Sequence, residues 1–146
     1  DTRSGIVLNN GTSTKKGVEV SGWHETSFIQ ASNLADNATV SVYEMVSGTS
    51  YNQVKFIIIE GWITNGSNNT AYIRVMMSKR YGGSNSADQK VVLLDYQDTS
   101  TVGLNFVATT DFTFSDGGTS PRTICRYTNT TGNNVQFGFK ISSYQP

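Results

Sequence analysis

One cysteine, two prolines and one histidine in 146 residues are scarcities that each remove a class of explanation. A lone Cys125 cannot form an intramolecular disulfide, so a small disulfide-stapled scaffold is excluded. With His24 as the single imidazole, any Ser-His-acid or Cys-His arrangement would have to use it. Neither a G-x-S-x-G elbow nor a Walker sequence occurs. Charge is sparse too: 15% of residues, with eleven Lys and Arg cancelling eleven Asp and Glu. A neutral chain exerts no long-range pull on phosphate, and its cations gather only as Lys15-Lys16, Lys79-Arg80 and Arg122/Arg126. Nucleic acid is therefore not expected as a partner. The segment 1–16 carries only Arg3, Lys15 and Lys16, which is no genome-neutralising arm. No apolar run approaches the ~18 residues of a membrane helix. Phe56-Ile57-Ile58-Ile59 stops at Glu60, so no membrane insertion is expected. The chain opens at Asp1 without the regions of a signal peptide, the pattern of a processed product or of a domain cut from something longer.

In place of charge the chain has hydroxyls, amides and glycine: Ser, Thr, Asn and Gly fill 62 positions. With 36% hydrophobic residues this describes an uncharged polar surface on one apolar core, in a chain of single-domain length. Five Asn-x-Ser/Thr patterns, at Asn10, Asn37, Asn65, Asn68 and Asn129, are what such a composition produces by chance.

Apolar residues alternate with period 2 along most of the chain, the signature of half-buried strands. Val135, Phe137, Phe139 and Ile141 point one way, while Gln136, Gly138 and Lys140 point the other. Over 102–114, Val102, Leu104, Phe106, Ala108, Phe112 and Phe114 share a face. Ala71, Ile73, Val75 and Met77 do so over 71–77. Further strands are expected at 5–8, 17–21, 26–30, 39–46, 53–63, 89–96 and 122–128. Asn9-Asn10-Gly11, Ser47-Gly48, Asn65-Gly66, Gly82-Gly83, Asp116-Gly117-Gly118 and Gly132-Asn133 supply turn chemistry between them. Eight to ten strands with no fixed repeat predict an all-β, antiparallel two-sheet sandwich, jelly-roll-like. Helix is limited to a short turn near Ala31–Asn37. Residues 1–16 read as a connection into a single domain, 17–146. The expected core is Ile57, Ile59, Ile73, Val75, Val91, Leu93, Val102, Leu104, Phe106, Phe112, Phe114, Val135, Phe137, Phe139 and Ile141. Val54, Phe56, Ile57, Ile58 and Ile59 place apolar groups on both faces of one strand, and Met76 and Val107 fall on outward faces. A second apolar face calls for a cover, which predicts a homotrimer.

No catalytic residue, cofactor or metal is assigned. Zinc lacks enough soft ligands. Asp95 with Asp98, or Asp111 with Asp116, offers oxygen for calcium, but no D-x-D-x-D-G loop is present and Asp116-Gly117 reads as a hairpin turn. Paired carboxylates for glycoside cleavage would have to come from eleven scattered acids, none singled out. Cys125, on an alternating segment, reads as a buried small hydrophobe.

The aromatics say more. Seven Tyr and two Trp in a charge-poor chain offer flat faces to sugar rings, beside amides and hydroxyls that grip sugar hydroxyls. The candidate ligand-binding residues are Arg80, Tyr81 and Asn85 in the loop 79–88, with Trp23 and His24 in a second loop. Trp62, at the end of an apolar strand, is expected in the core. Tyr96 fits either a packing or a binding role.

The Gly/Ser/Thr/Asn-rich strands, the scarcity of Cys and Pro, the missing start Met and a last strand Asn133–Pro146 running almost to the terminus together resemble the C-terminal tip domains of trimeric bacteriophage tail fibres, tailspikes and tail needles. The resemblance is one of style over the whole chain. It implies a jelly-roll or tumour-necrosis-factor-like knob, a homotrimer, and an extracellular place on the virion tail. It also implies non-enzymatic attachment to a cell-surface glycan or other host receptor. A glycan-cleaving domain using paired carboxylates and a purely structural trimerisation cap are the alternatives.

Overall fold

The structure, a computed structural model, describes residues 6–10, 16–20, 24–46, 54–65, 69–80, 89–99, 104–116 and 122–144. Among these, ten strands and one helical turn follow in order: β1 (Ile6–Asn10), β2 (Lys16–Val20), β3 (His24–Leu34), β4 (Thr39–Val46), β5 (Val54–Thr64), β6 (Thr70–Arg80), β7 (Gln89–Asp98), α1 (Ala108–Asp111), β8 (Phe112–Asp116), β9 (Arg122–Thr128) and β10 (Val135–Tyr144). A main sheet of order β1-β2-β3-β10-β5-β6-β7 faces a smaller one, β4-β9-β8. Every neighbouring pair is antiparallel. The chain is an all-β two-sheet sandwich, as its alternation predicts.

The winding is jelly-roll-like in its outer turns. The last strand, β10, inserts between β3 and β5, and β4 pairs with β9 in the opposite sheet. It departs from that plan where β5-β6-β7 runs as a meander and β8 joins β9 directly. Strand β1 falls on the expected strand at 5–8, within the segment 1–16 read as a connection, and pairs with β2.

The core forms where the inner faces meet. Ile57, Ile59 and Ile63 on β5, Ala71, Ile73, Val75 and Met77 on β6, and Val135, Phe137, Phe139 and Ile141 on β10 are buried. Phe112 and Tyr127 reach across from the small sheet. Phe112 lies 5.8 Å from Phe139, and Tyr127 meets Phe137 and Phe139 edge-on at 5.5 and 5.3 Å. Val91, Phe106 and Phe114 are half-buried at the margin. Val102 lies outside the described residues.

Three expectations change. The segment 102–114 is not one strand: 104–107 is irregular, α1 follows, and only then does β8 begin. Asp111 drives the break. Its buried carboxylate accepts from the Val107 N–H at 3.0 Å and the Thr130 hydroxyl at 2.6 Å, while the Thr110 and Asp111 amides bond back to the Val107 carbonyl. Such local bonding competes with a sheet ladder. Second, the chain around Ala31–Asn37 is strand to Leu34, then a turn in which Asn37 takes φ 61°. Third, Leu93 is 46% exposed. The cover over β7 is the 104–111 segment, which meets it at Tyr96 and Asp98 and leaves the first half of β7 overhanging.

Candidate functional site

The outer face of the main sheet is ordered in rows by strand register. One row reads Thr26, Ser142, Ile58, Met76 and Val92; the next reads Phe28, Lys140, Glu60, Arg74 and Asp95. The third reads Gln30, Gly138, Trp62, Tyr72 and Gln97. Residues alternate between faces along each strand, so core residues on β5 and β10 fix what these rows show to solvent.

Trp62 is the residue the sequence misplaced. Its neighbour Ile63 is fully buried, whereas Trp62 is 43% exposed on the opposite face. It lies over Gly138, where an added Cβ would come within 2.9 Å of Trp62 Nε1 and 3.0 Å of Cε2. Only a residue without a side chain leaves room for the indole there. Glycine inside the otherwise clean alternation of 135–141 was the signal for such a close approach. Tyr72, 39% exposed, stands directly opposite Trp62 on β6. Such partners place their Cβ atoms about 4.5–5.5 Å apart.

Beside Trp62 the pairing of β3 with β10 slips. Val135 pairs with Leu34 but Phe137 with Ala31, so Ser32 and Asn33 oppose Gln136 alone. This is a β-bulge, a device that re-aims side chains. Here it helps open a cleft of about 530 Å³ lined by Gln30, Ala31, Ser32, Asn33, Trp62, Gln136 and Phe137. Two glutamines, an asparagine and a serine thus border one wall of an exposed indole.

The charged row flanks the aromatic one. Glu60 accepts from Lys140 Nζ, and Arg74 Nε lies 3.6 Å from its other carboxylate oxygen. The Lys140 hydrogen bond, reinforced by the charges of Lys140 and Arg74 and by the Tyr72 hydroxyl, holds the Glu60 carboxyl below its ordinary pKa against the opposing effect of partial burial. Glu60 is therefore a fixed anion, not a proton donor.

Of the residues singled out in the sequence, His24 and Arg80 lie elsewhere. The chain enters β3 at His24, which pairs with Tyr144, and leaves β6 at Arg80, which pairs with Val54. Both positions are at the same end of the main sheet, and three strand spacings separate β3 from β6, about 14 Å. The His24 row lies six residues along β3 from the Gln30–Trp62 row, about 20 Å. Trp23, Tyr81 and Asn85 lie outside the described residues. Tyr96 packs inward, stacked on Phe106 at 5.6 Å and donating to Asp98. Burial and the neighbouring Asp98 raise its phenol to about 12.

Among the described carboxylates, none joins access from the cleft to a raised pKa, which a general acid requires. Asp111 is pushed up by burial, but it is 1% exposed and bonded to Val107 and Thr130. Asp95 is held by Gln97 on the outer face and Asp98 by Leu104 on the inner one, so the two do not converge on a cation. No group of three or more His, Cys, Asp or Glu side chains among the described residues is placed to hold a metal. Cys125 is buried, and burial pushes its thiol to about 12, far from a nucleophile's range. Asn129 is fully buried, with its amide spent on Leu34, Asn133 and Thr131, so its Asn-x-Thr pattern is closed to modification in the folded chain.

Compared with models of protein families, with curated proteins and with solved structures, the chain matches none.

Proposed function

We propose that this chain is a non-catalytic glycan-binding domain whose ligand lies along the Gln30–Trp62–Tyr72 row. The observation that carries the reading is the exposed indole seated on Gly138 beside an amide-lined cleft. A single exposed aromatic is ordinary, but Trp62 and Tyr72 are both exposed and directly opposite each other, and contiguous apolar surface rimmed by polar groups marks an interaction site. A sugar ring offers a flat C–H face to the indole, and hydroxyls that Gln30, Asn33, Gln136 and Ser32 can bond. Sites that combine an apolar wall with a few converging polar groups are typical of small-ligand recognition. The flanking Lys140–Glu60–Arg74–Asp95 row supplies further hydrogen-bonding groups without net charge.

The setting we propose is host attachment by a phage tail structure, supported by the chain's resemblance in style to tail-tip domains and by its sandwich fold. A glycan array with parallel reducing-end assays tests the function. Binding without new reducing ends is the expected result. Turnover would favour glycan cleavage, and no ligand at all would favour a structural cap.

A further inference from the structure

We propose that the free edge of β7 is a two-fold pairing site for a second copy of this chain. Among the described residues, β7 ends the main sheet and pairs only with β6, so no described strand lies along its other edge. Val92, Leu93 and Leu94 are 40%, 46% and 44% exposed there. Three consecutive exposed apolar residues on an open edge are what monomeric sheet proteins avoid, because such an edge recruits another strand.

The strand's own pattern identifies the occupant. Lys90 and Asp95 bracket the apolar stretch with opposite charges, both on the outer face with Val92. Register with β6 slips between Arg74 and Val75, so that Leu93 pairs with Val75 and Asp95 with Arg74; Leu94 is the extra residue of a bulge. An antiparallel pairing of two β7 strands about an axis through Val92 respects these faces. Val92 meets Val92 of the second copy, Val91 meets Leu93 twice, and each Lys90 faces the bulged Leu94–Asp95 step of the other chain. The two ion pairs are equivalent by symmetry, and the surface is complementary to itself, as a two-fold interface requires. Opposite charges across paired strands stabilise and like charges destabilise.

The axis stands perpendicular to the sheet, so both outer faces, each with its Trp62, look the same way. The outer-face row that ends at Val92 carries further apolar side chains, partly covered by one another. Phe56 stacks on Tyr144 at 5.2 Å, and Ile58 and Met76 are half-buried neighbours.

Sedimentation of the 146-residue chain across the micromolar range tests the pairing. The wild-type chain is expected as a dimer. Lys90→Glu and Asp95→Lys should each weaken association by at least about tenfold, and the double variant, whose charges are again complementary, should recover it. Val92→Lys, at a solvent-exposed position, brings two cations together on the axis and should give monomer with an unchanged circular dichroism spectrum. A monomeric or trimeric wild type, association unaffected by Val92→Lys, or folded single variants without rescue would each overturn the proposal.

Discussion

Phe112, Tyr127, Phe137 and Phe139 are the residues through which the two sheets hold each other. Their ring centroids lie 4.5–5.8 Å apart, in the range where aromatic pairs gain beyond simple burial. Phe139 touches the other three rings and is 1% exposed, so Phe139→Ala should lower unfolding free energy by about 3–5 kcal/mol in urea titration. A loss under about 1 kcal/mol would mean that the rings do not carry the inter-sheet contact. Tyr127 shows the opposite behaviour at its hydroxyl, which is buried with no hydrogen-bond partner. Burial and the nearby Asp111 charge raise its phenol. A buried unpaired polar group costs about 1–3 kcal/mol, so Tyr127→Phe should keep or raise the melting temperature. A clear fall would show that the hydroxyl is bonded after all.

Single elements decide which sequence signals were readable. Alternation placed β5 and β9 to within a residue and the starts of β6 and β10, each of which runs three residues further, because each has one face against the opposite sheet. It failed over 102–114, where Leu104, Ala108 and Phe112 satisfy a spacing of four as well as of two. There Asp111 decides by bonding the Val107 amide, an interaction invisible to hydrophobic patterning. It also misassigned Trp62, whose place at the end of an apolar run concealed that only Ile57, Ile59 and Ile63 face inward. Between these strands the charged row makes a pH prediction. Glu60 has a folded-state pKa below its ordinary value of 4.5, so its contribution is present above that value and lost as pH falls through the lowered one. Glu60→Gln should therefore destabilise at neutral pH, with the gap to wild type closing below about pH 4. A gap that persists unchanged at pH 2.5–3 would mean that the carboxylate's charge contributes nothing. Asp111, raised by burial, acts with the opposite sign, its protonation favouring the folded chain as pH falls, which is why the comparison is made against Glu60→Gln rather than on wild type alone.

At the scale of the whole molecule, composition and alternation carried the fold, since a sandwich needs only strands with one apolar face and turns between them. The site was not legible in the same way. It is made by lateral register: Trp62, Gly138 and Gln30 lie far apart in sequence and become neighbours only through β10 inserting between β3 and β5. Loop composition pointed instead to Arg80, Tyr81 and Asn85, and to Trp23 and His24; of these, His24 and Arg80 lie at the other end of the sheet and the rest fall outside the described residues. The proposed ligand is held on the sheet face and not by those loops. Titration of one glycan identified on the array against three proteins tests it most directly: wild type, Trp62→Ala and the double variant Arg80→Ala/Tyr81→Ala. Affinity is expected to be at least about tenfold weaker for Trp62→Ala, a loss of about 1.4 kcal/mol, and unchanged for the double variant. Full affinity in Trp62→Ala with binding abolished in the loop variant would contradict it.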